Sequence, residues 1–149
     1  MKALLLGAAT LGAIAVAGLA VLAVWSQRSP RLGLRDGKLR PCRRATNCVS
    51  TTAGDAPPLP FAGTAEASLD RLAGVLADLP RCRVTDRQGL YLRAVCRSRL
   101  FRFADDVEAL ADPGAGVLHL RSASRVGIGD HGVNRARLAE IRRRYAGPR

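Results

Sequence analysis

The side chains best equipped for chemistry fall within residues 118–145, LHLRSASRVGIGDHGVNRARLAEIRRRY. Arg121, Ser122, Ser124 and Arg125 leave a predicted strand, and Gly127, Gly129 and Gly132 space the loop that follows. Asn134 is expected to be the N-cap of a basic helix, with Arg135 in its first turn. Guanidinium groups grip phosphate or carboxylate in bidentate fashion, and the free N–H groups of a helix start point at an anion. Arg121, Ser122, Ser124, Arg125, Asn134 and Arg135 therefore form a candidate anion or ligand site, with Asp105, Asp106 and Asp130 as supporting acids. Catalysis would need a nucleophile beside a tuned base. The formal pairs are Ser122 or Ser124 with His119 or His131, at no recognised triad spacing, so no catalytic residue is assigned. No C-x-x-C pair is present, so no metal is assigned, and no cofactor is expected.

The elements around this stretch must place it. Leu69, Leu72, Leu76 and Leu79 recur at helical spacing over 64–79, with Thr64 as the cap and Pro80 as the stop. Strands follow at 82–84, at 91–98 after a turn at 86–89, at 103–111, and at 116–122 after a four-residue loop at 112–115. The expected fold class is α+β: two layers, an antiparallel four-stranded sheet with helices on one face, plus an N-terminal transmembrane helix. Phe103, Val107, Ala109, Leu118 and Leu120 should face the core. That register sets Asp106 opposite Arg121 on the outer face and Asp105 opposite Ser122 on the core face. Arg125 can then reach either Asp105 or an anion at the helix start. It is expected to be the most consequential single charge of the domain.

Residues 3–25 are uninterrupted apolar, long enough to span a bilayer core of ~30 Å, with Trp25 at the interface. Val21, Leu22 and Ala23 also fit a signal cleavage site, but the run exceeds the ~7–15 residues of a signal core. The expected organisation is an anchor over 1–25, a basic tether and cysteine- and proline-rich loop over 26–63, and a globular domain over 64–146. The chain carries 24 basic and 12 acidic residues, a formal net charge of +12. All the basic residues but Lys2 and Lys38 are arginine. This charge suits anionic lipid or an acidic partner. Nucleic acid is disfavoured, because aromatic residues make up only 4% of the chain and stacking platforms between the arginines are missing.

Cys42 and Cys48 share a polar loop, and Cys82 and Cys96 fall on neighbouring strands. Both pairs are expected to be close in space, and 42–48 is the stronger disulfide candidate. Cys82 and Cys96 read equally as buried free thiols. The arginines that follow the apolar run favour a cytoplasmic domain, and paired cysteines favour the opposite side.

CRRATNCVS at 42–50, LFRFADD at 100–106 and RSASRVGIGDHGVNRAR at 121–137 together resemble domain-of-unknown-function family 1499. The matching positions are Asn47 to Ser50, Phe103, Asp105 and Asp106, Arg121 to Gly127, and Asp130, Gly132, Asn134 and Arg135, within a likeness spanning about 39–144. Thr51 departs from an expected second serine, and Arg44 from a proline-leading turn. The resemblance implies a membrane or export segment and an extracytoplasmic, periplasmic-side domain; it implies no activity. The expected function is a membrane-tethered envelope module, bound to the bilayer through 3–25, that takes an anionic ligand, lipid headgroup or partner protein. The alternative is a hydrolase-like enzyme built on Asp105, Asp106, Ser122 and Arg125.

Overall fold

A computed structural model describes residues 2–28 and 33–147; tether residues 29–32, Arg31 among them, lie outside the described residues. The elements in chain order are α1 (Lys2–Ser26), β1 (Cys48–Ser50), β2 (Leu59–Pro60), α2 (Ala65–Ala77), β3 (Cys82–Gln88), β4 (Tyr91–Arg97), β5 (Ala104–Asp112), β6 (Val117–Ser124) and α3 (Val133–Ala146). The sheet is antiparallel in the order β1-β6-β5-β4-β3, and β2 also pairs with β6. The fold is α+β, as expected, with six strands rather than four. The two extra strands are three and two residues long, too short for a period of two to show.

Within the region expected to be a cysteine- and proline-rich loop, Cys48–Ser50 and Leu59–Pro60 form the sheet edge against β6. Between them the Thr51 hydroxyl accepts from the Leu120 N–H at 2.9 Å, filling the gap in the ladder. Threonine thus supplies there the hydroxyl expected of a serine. Upstream, Leu39 is buried and disulfide Cys42–Cys48 fastens the preceding loop to β1.

One sheet face is apolar because alternate residues of β4, β5 and β6 are Leu92, Ala94, Val107, Ala109, Leu118 and Leu120. Leu69, Leu72 and Leu76 of α2 and Leu138, Ile141 and Tyr145 of α3 close over it. Each fully buried leucine contributes about 1.5–3 kcal/mol. Thr64 caps α2 by accepting from the Ala67 N–H. Phe103, expected in this core, is only half-buried and lies 5.8 Å from the Phe101 ring instead.

Two turns differ from expectation. β3 runs on to Gln88, and Gly89 at φ 52° makes the tight turn into β4. The β5–β6 loop is 113–116, because Asp112 still pairs with Val117 while Gly116 takes φ 66°, a conformation no strand residue adopts. That one-residue shift at each strand end moves the register by two. Asp105 faces Ser124, Asp106 faces Ala123, and Arg121 faces Glu108, in place of Asp105–Ser122 and Asp106–Arg121. The parity survives, so Asp105 does point to the helix side and Asp106 away from it.

α1 is one continuous helix of 25 residues, whose Ala9–Ser26 window has mean hydropathy 2.0 and is 6% buried. Its last turn is not separate from the domain, as a free tether would require. Ser26 is 1% exposed, and its hydroxyl accepts from the Ala104 N–H at the start of β5.

Candidate functional site

The glycine loop is tied down from both sides. Asn47, just before β1, donates from Nδ2 to Gly127 O at 2.8 Å, and its own carbonyl accepts from Ser124 N and Asn134 Nδ2. The Thr46 carbonyl accepts from the Asp130 N–H, and the Thr46 hydroxyl donates to Ile128 O. Gly132 is the N-cap of α3, not Asn134. The Asp130 carboxylate does the capping, accepting from the N–H groups of Gly132 at 2.9 Å and Asn134 at 2.8 Å. A loop residue thus takes the role expected of Asn134 because the helix starts two residues earlier.

Asn134 is instead fully buried on the helix side of the sheet. Its Oδ1 accepts from the Ser122 hydroxyl at 2.6 Å and from Arg137 at 2.7 Å, and its Nδ2 donates to Asn47 O, Ser124 Oγ and Asp130. Arg137 then closes on the Asp105 carboxylate at 2.6 Å. The inward aspartate is therefore neutralised by an arginine of α3 rather than by Arg125.

The other face carries a second network. On β5, Asp106 and Glu108 are both buried. Arg125 grips Asp106 in bidentate fashion, Nε to Oδ2 and Nη2 to Oδ1, both at 2.8 Å. Arg93 of β4 donates to Asp106 Oδ1 from Nε and Nη2. Glu108 receives Arg121 Nη1 at 2.7 Å on one oxygen and the Tyr91 hydroxyl at 2.7 Å on the other. Burial, then the Glu108 hydrogen bond, push the Tyr91 phenol well above its usual range. The remaining nitrogen of Arg125, Nη1, faces the C-terminal end of α1 and donates to the carbonyls of Ser26 at 3.0 Å and Arg28 at 3.2 Å. A cation is favourable there, because the last carbonyls of a helix have no partner of their own and carry the negative end of its dipole.

The six candidate site residues therefore do not converge. Ser122, Ser124 and Asn134 lie on the helix side, while Arg121 and Arg125 lie on the far side, each paired with a carboxylate. Arg135 is exposed and donates to Asp55 O. The hydrolase group is likewise divided by the sheet, Asp105 and Ser122 on one side and Asp106 and Arg125 on the other. His119 sits on the outer face, 3.4 Å from the Thr51 hydroxyl, which already serves the Leu120 backbone; His131 is exposed in the loop at φ 51°. Glu108, Arg93, Tyr91, Arg137 and Asn47 are network members that sequence reasoning missed. Their signal was the shared parity of Asp106 and Glu108, two acids on one face of a strand flanked by Arg93 and Arg121.

Two carboxylates, Asp130 and Glu140, are held low. Burial raises Asp130, but hydrogen bonds from the Asn134 and Gly132 N–H groups and the Asn134 side chain outweigh it, and the net shift is downward. Glu140 on α3 is pulled down to about 2 by hydrogen bonds from Arg143 and Arg144.

Both cysteine pairs are disulfides, Cys42–Cys48 in the loop and Cys82–Cys96 across β3 and β4, so the free-thiol alternative for the second pair falls. Such bonds persist in oxidising compartments outside the cytoplasm. Among the described residues no cluster of metal-ligating side chains occurs.

Fold and networks define a disulfide-bonded α+β domain, its sheet buttressed by buried arginine–carboxylate pairs and fastened to an apolar helix. The chain belongs to the family described as a protein of unknown function, DUF1499, which matches residues 38–144. No curated protein matches it.

Proposed function

We propose that this is a membrane-tethered envelope domain that binds rather than catalyses, with α1 in the bilayer and its arginine-rich surface against anionic lipid headgroups. The observation that carries this is α1 itself: apolar, barely buried, and joined to the sheet by Arg125 and Ser26 instead of packing into the core. A helix of 25 residues at 1.5 Å per residue is about 37 Å long, enough to cross a hydrocarbon core of ~30 Å. The buried arginines are neutralised, so binding falls to exposed ones such as Arg28 and Arg102, which lie around the helix end. Cations at a headgroup surface contribute about 1 kcal/mol each when that leaflet is anionic. The two disulfides favour the extracytoplasmic side against the positive-inside bias of the arginines.

Alkaline carbonate extraction and intact mass of the native protein test the reading. The full chain should stay in the membrane pellet. A soluble product cut after Ala23 would overturn the anchor. The purified chain should also melt higher with phosphatidylglycerol than with phosphatidylcholine, and equal melting would remove the headgroup assignment.

A further inference from the structure

Leu100, Phe101 and Arg102, at the tip of the β4–β5 hairpin, stand beside the apolar helix. Leu100 is 79% exposed, the most exposed large apolar side chain among those described. Scattered apolar residues on a surface need no explanation, but this one has a particular neighbour. Leu100, Phe101 and Arg102 share a shallow cleft with Ala20, Ala23 and Val24 of α1. Ala20 precedes Ser26 by six residues, so the tip reaches back along the last ~9 Å of the helix axis. Ala23 turns toward the domain at 8% exposure, while Val24 and Trp25 stay open at 72% and 57%.

The tip is also held in place. Gln27, one residue beyond α1, donates to the Arg102 carbonyl at 2.6 Å and accepts from Arg97 Nε at 2.9 Å. Arg102 itself adopts φ 59°, a left-handed conformation that a non-glycine residue keeps only when its surroundings impose it. The Phe101 ring leans on Phe103 at 5.8 Å.

We infer that this hairpin tip is a second bilayer contact, inserting Leu100 and Phe101 beside α1 while Arg102 meets the phosphate layer. The inference rests on the tethered reading above. If the end of α1 lies at the interface, a side chain level with Ala20 to Val24 sits at the headgroup–acyl boundary. Interfacial elements bury their apolar face there by ~5–10 Å. Arg102 can keep its head in the polar layer while its stem follows the apolar surface. Two contacts, helix and tip, would fix the tilt of the domain over the membrane, which one helix alone would leave free.

The test uses the full chain in vesicles of phosphatidylcholine and phosphatidylglycerol. An environment-sensitive fluorophore is carried on an unnatural residue at Leu100, Val16 or Ala115, so that the native disulfides are untouched. Labels at Val16 and Leu100 should both shift to the blue and be quenched by doxyl lipids, and the label at Ala115 should do neither. A Val16 label in lipid with a Leu100 label in water would overturn the second contact and leave the anchor standing. A Val16 label in water would overturn both. Should the Leu100 variant fail to fold, a label at Phe101 reports the same loop, and full water exposure there counts against the inference.

Discussion

Arg125→Ala is the perturbation that probes most of the structure at once. It removes two charge-assisted hydrogen bonds to buried Asp106 and the donor to the carbonyls at the end of α1. Breaking a buried ion pair by removing one partner costs ~3–5 kcal/mol. Arg93 still donates to Asp106, so the carboxylate is not left uncompensated, and the lower end, about 3 kcal/mol, applies. At about 4 °C per kcal/mol for a domain of this size, melting should fall by roughly 12 °C. Differential scanning calorimetry in detergent measures it. Arg125→Lys should fall between the two, since one ammonium cannot hold both a bidentate carboxylate and the helix carbonyls. Removing Arg93 as well should cost more than the separate losses, because Asp106 would then be buried without either arginine. Arg135→Ala, at an exposed site, should stay within about 0.5 kcal/mol. An Arg125→Ala protein that melts like the wild type would refute the claim that the outer-face network holds the domain together.

Asn134→Ala should destabilise by about 2–3 kcal/mol in urea titrations, since Ser122 and Arg137 lose their acceptor inside the core. Non-reducing peptide mapping of native protein should recover both disulfides. With sequence separations of 14 and 6, replacing both cysteines of 82–96 by serine should cost about 3 kcal/mol, against about 2 for 42–48, on the loop-entropy account. Acid should destabilise through groups whose folded pKa is depressed. The stability that Glu140 contributes is present above its ordinary 4.5 and is lost as pH falls toward about 2, with Asp130 acting in the same direction. Urea midpoints from pH 6 to 2 should show that decline, and Glu140→Gln should flatten part of it.

Much of the architecture was legible in the sequence. The leucine stripe of α2 and the alternation in β4 to β6 both announced their elements, and parity alone put Asp105 and Asp106 on opposite faces. The register was not legible to better than two residues. Only the backbone of Gly116 decides whether Asp112 turns or pairs, and apolar matching is blind to a shift that preserves parity. β1 and β2 escaped because a two- or three-residue strand carries no period; pairing with β6 creates it. The motif residues were visible, but their purpose depends on distant partners. Asn47 and Asn134 meet across 87 positions of sequence, and Arg125 reaches carbonyls at and just beyond the end of α1, 99 and 97 positions away. No local pattern encodes such contacts, so the sequence does not show that Arg121 and Arg125 pair with Glu108 and Asp106.

The central claim is that the apolar helix and the sheet are one rigid unit, joined where Arg125 and Ser26 meet. The most direct measurement is the distance distribution between spin labels on unnatural residues at Leu11 in α1 and Ala115 at the β5–β6 turn, by pulsed dipolar spectroscopy in nanodiscs. A single narrow distribution is predicted for the wild type, broadening in Arg125→Ala. A broad wild-type distribution that Arg125→Ala leaves unchanged would contradict the account.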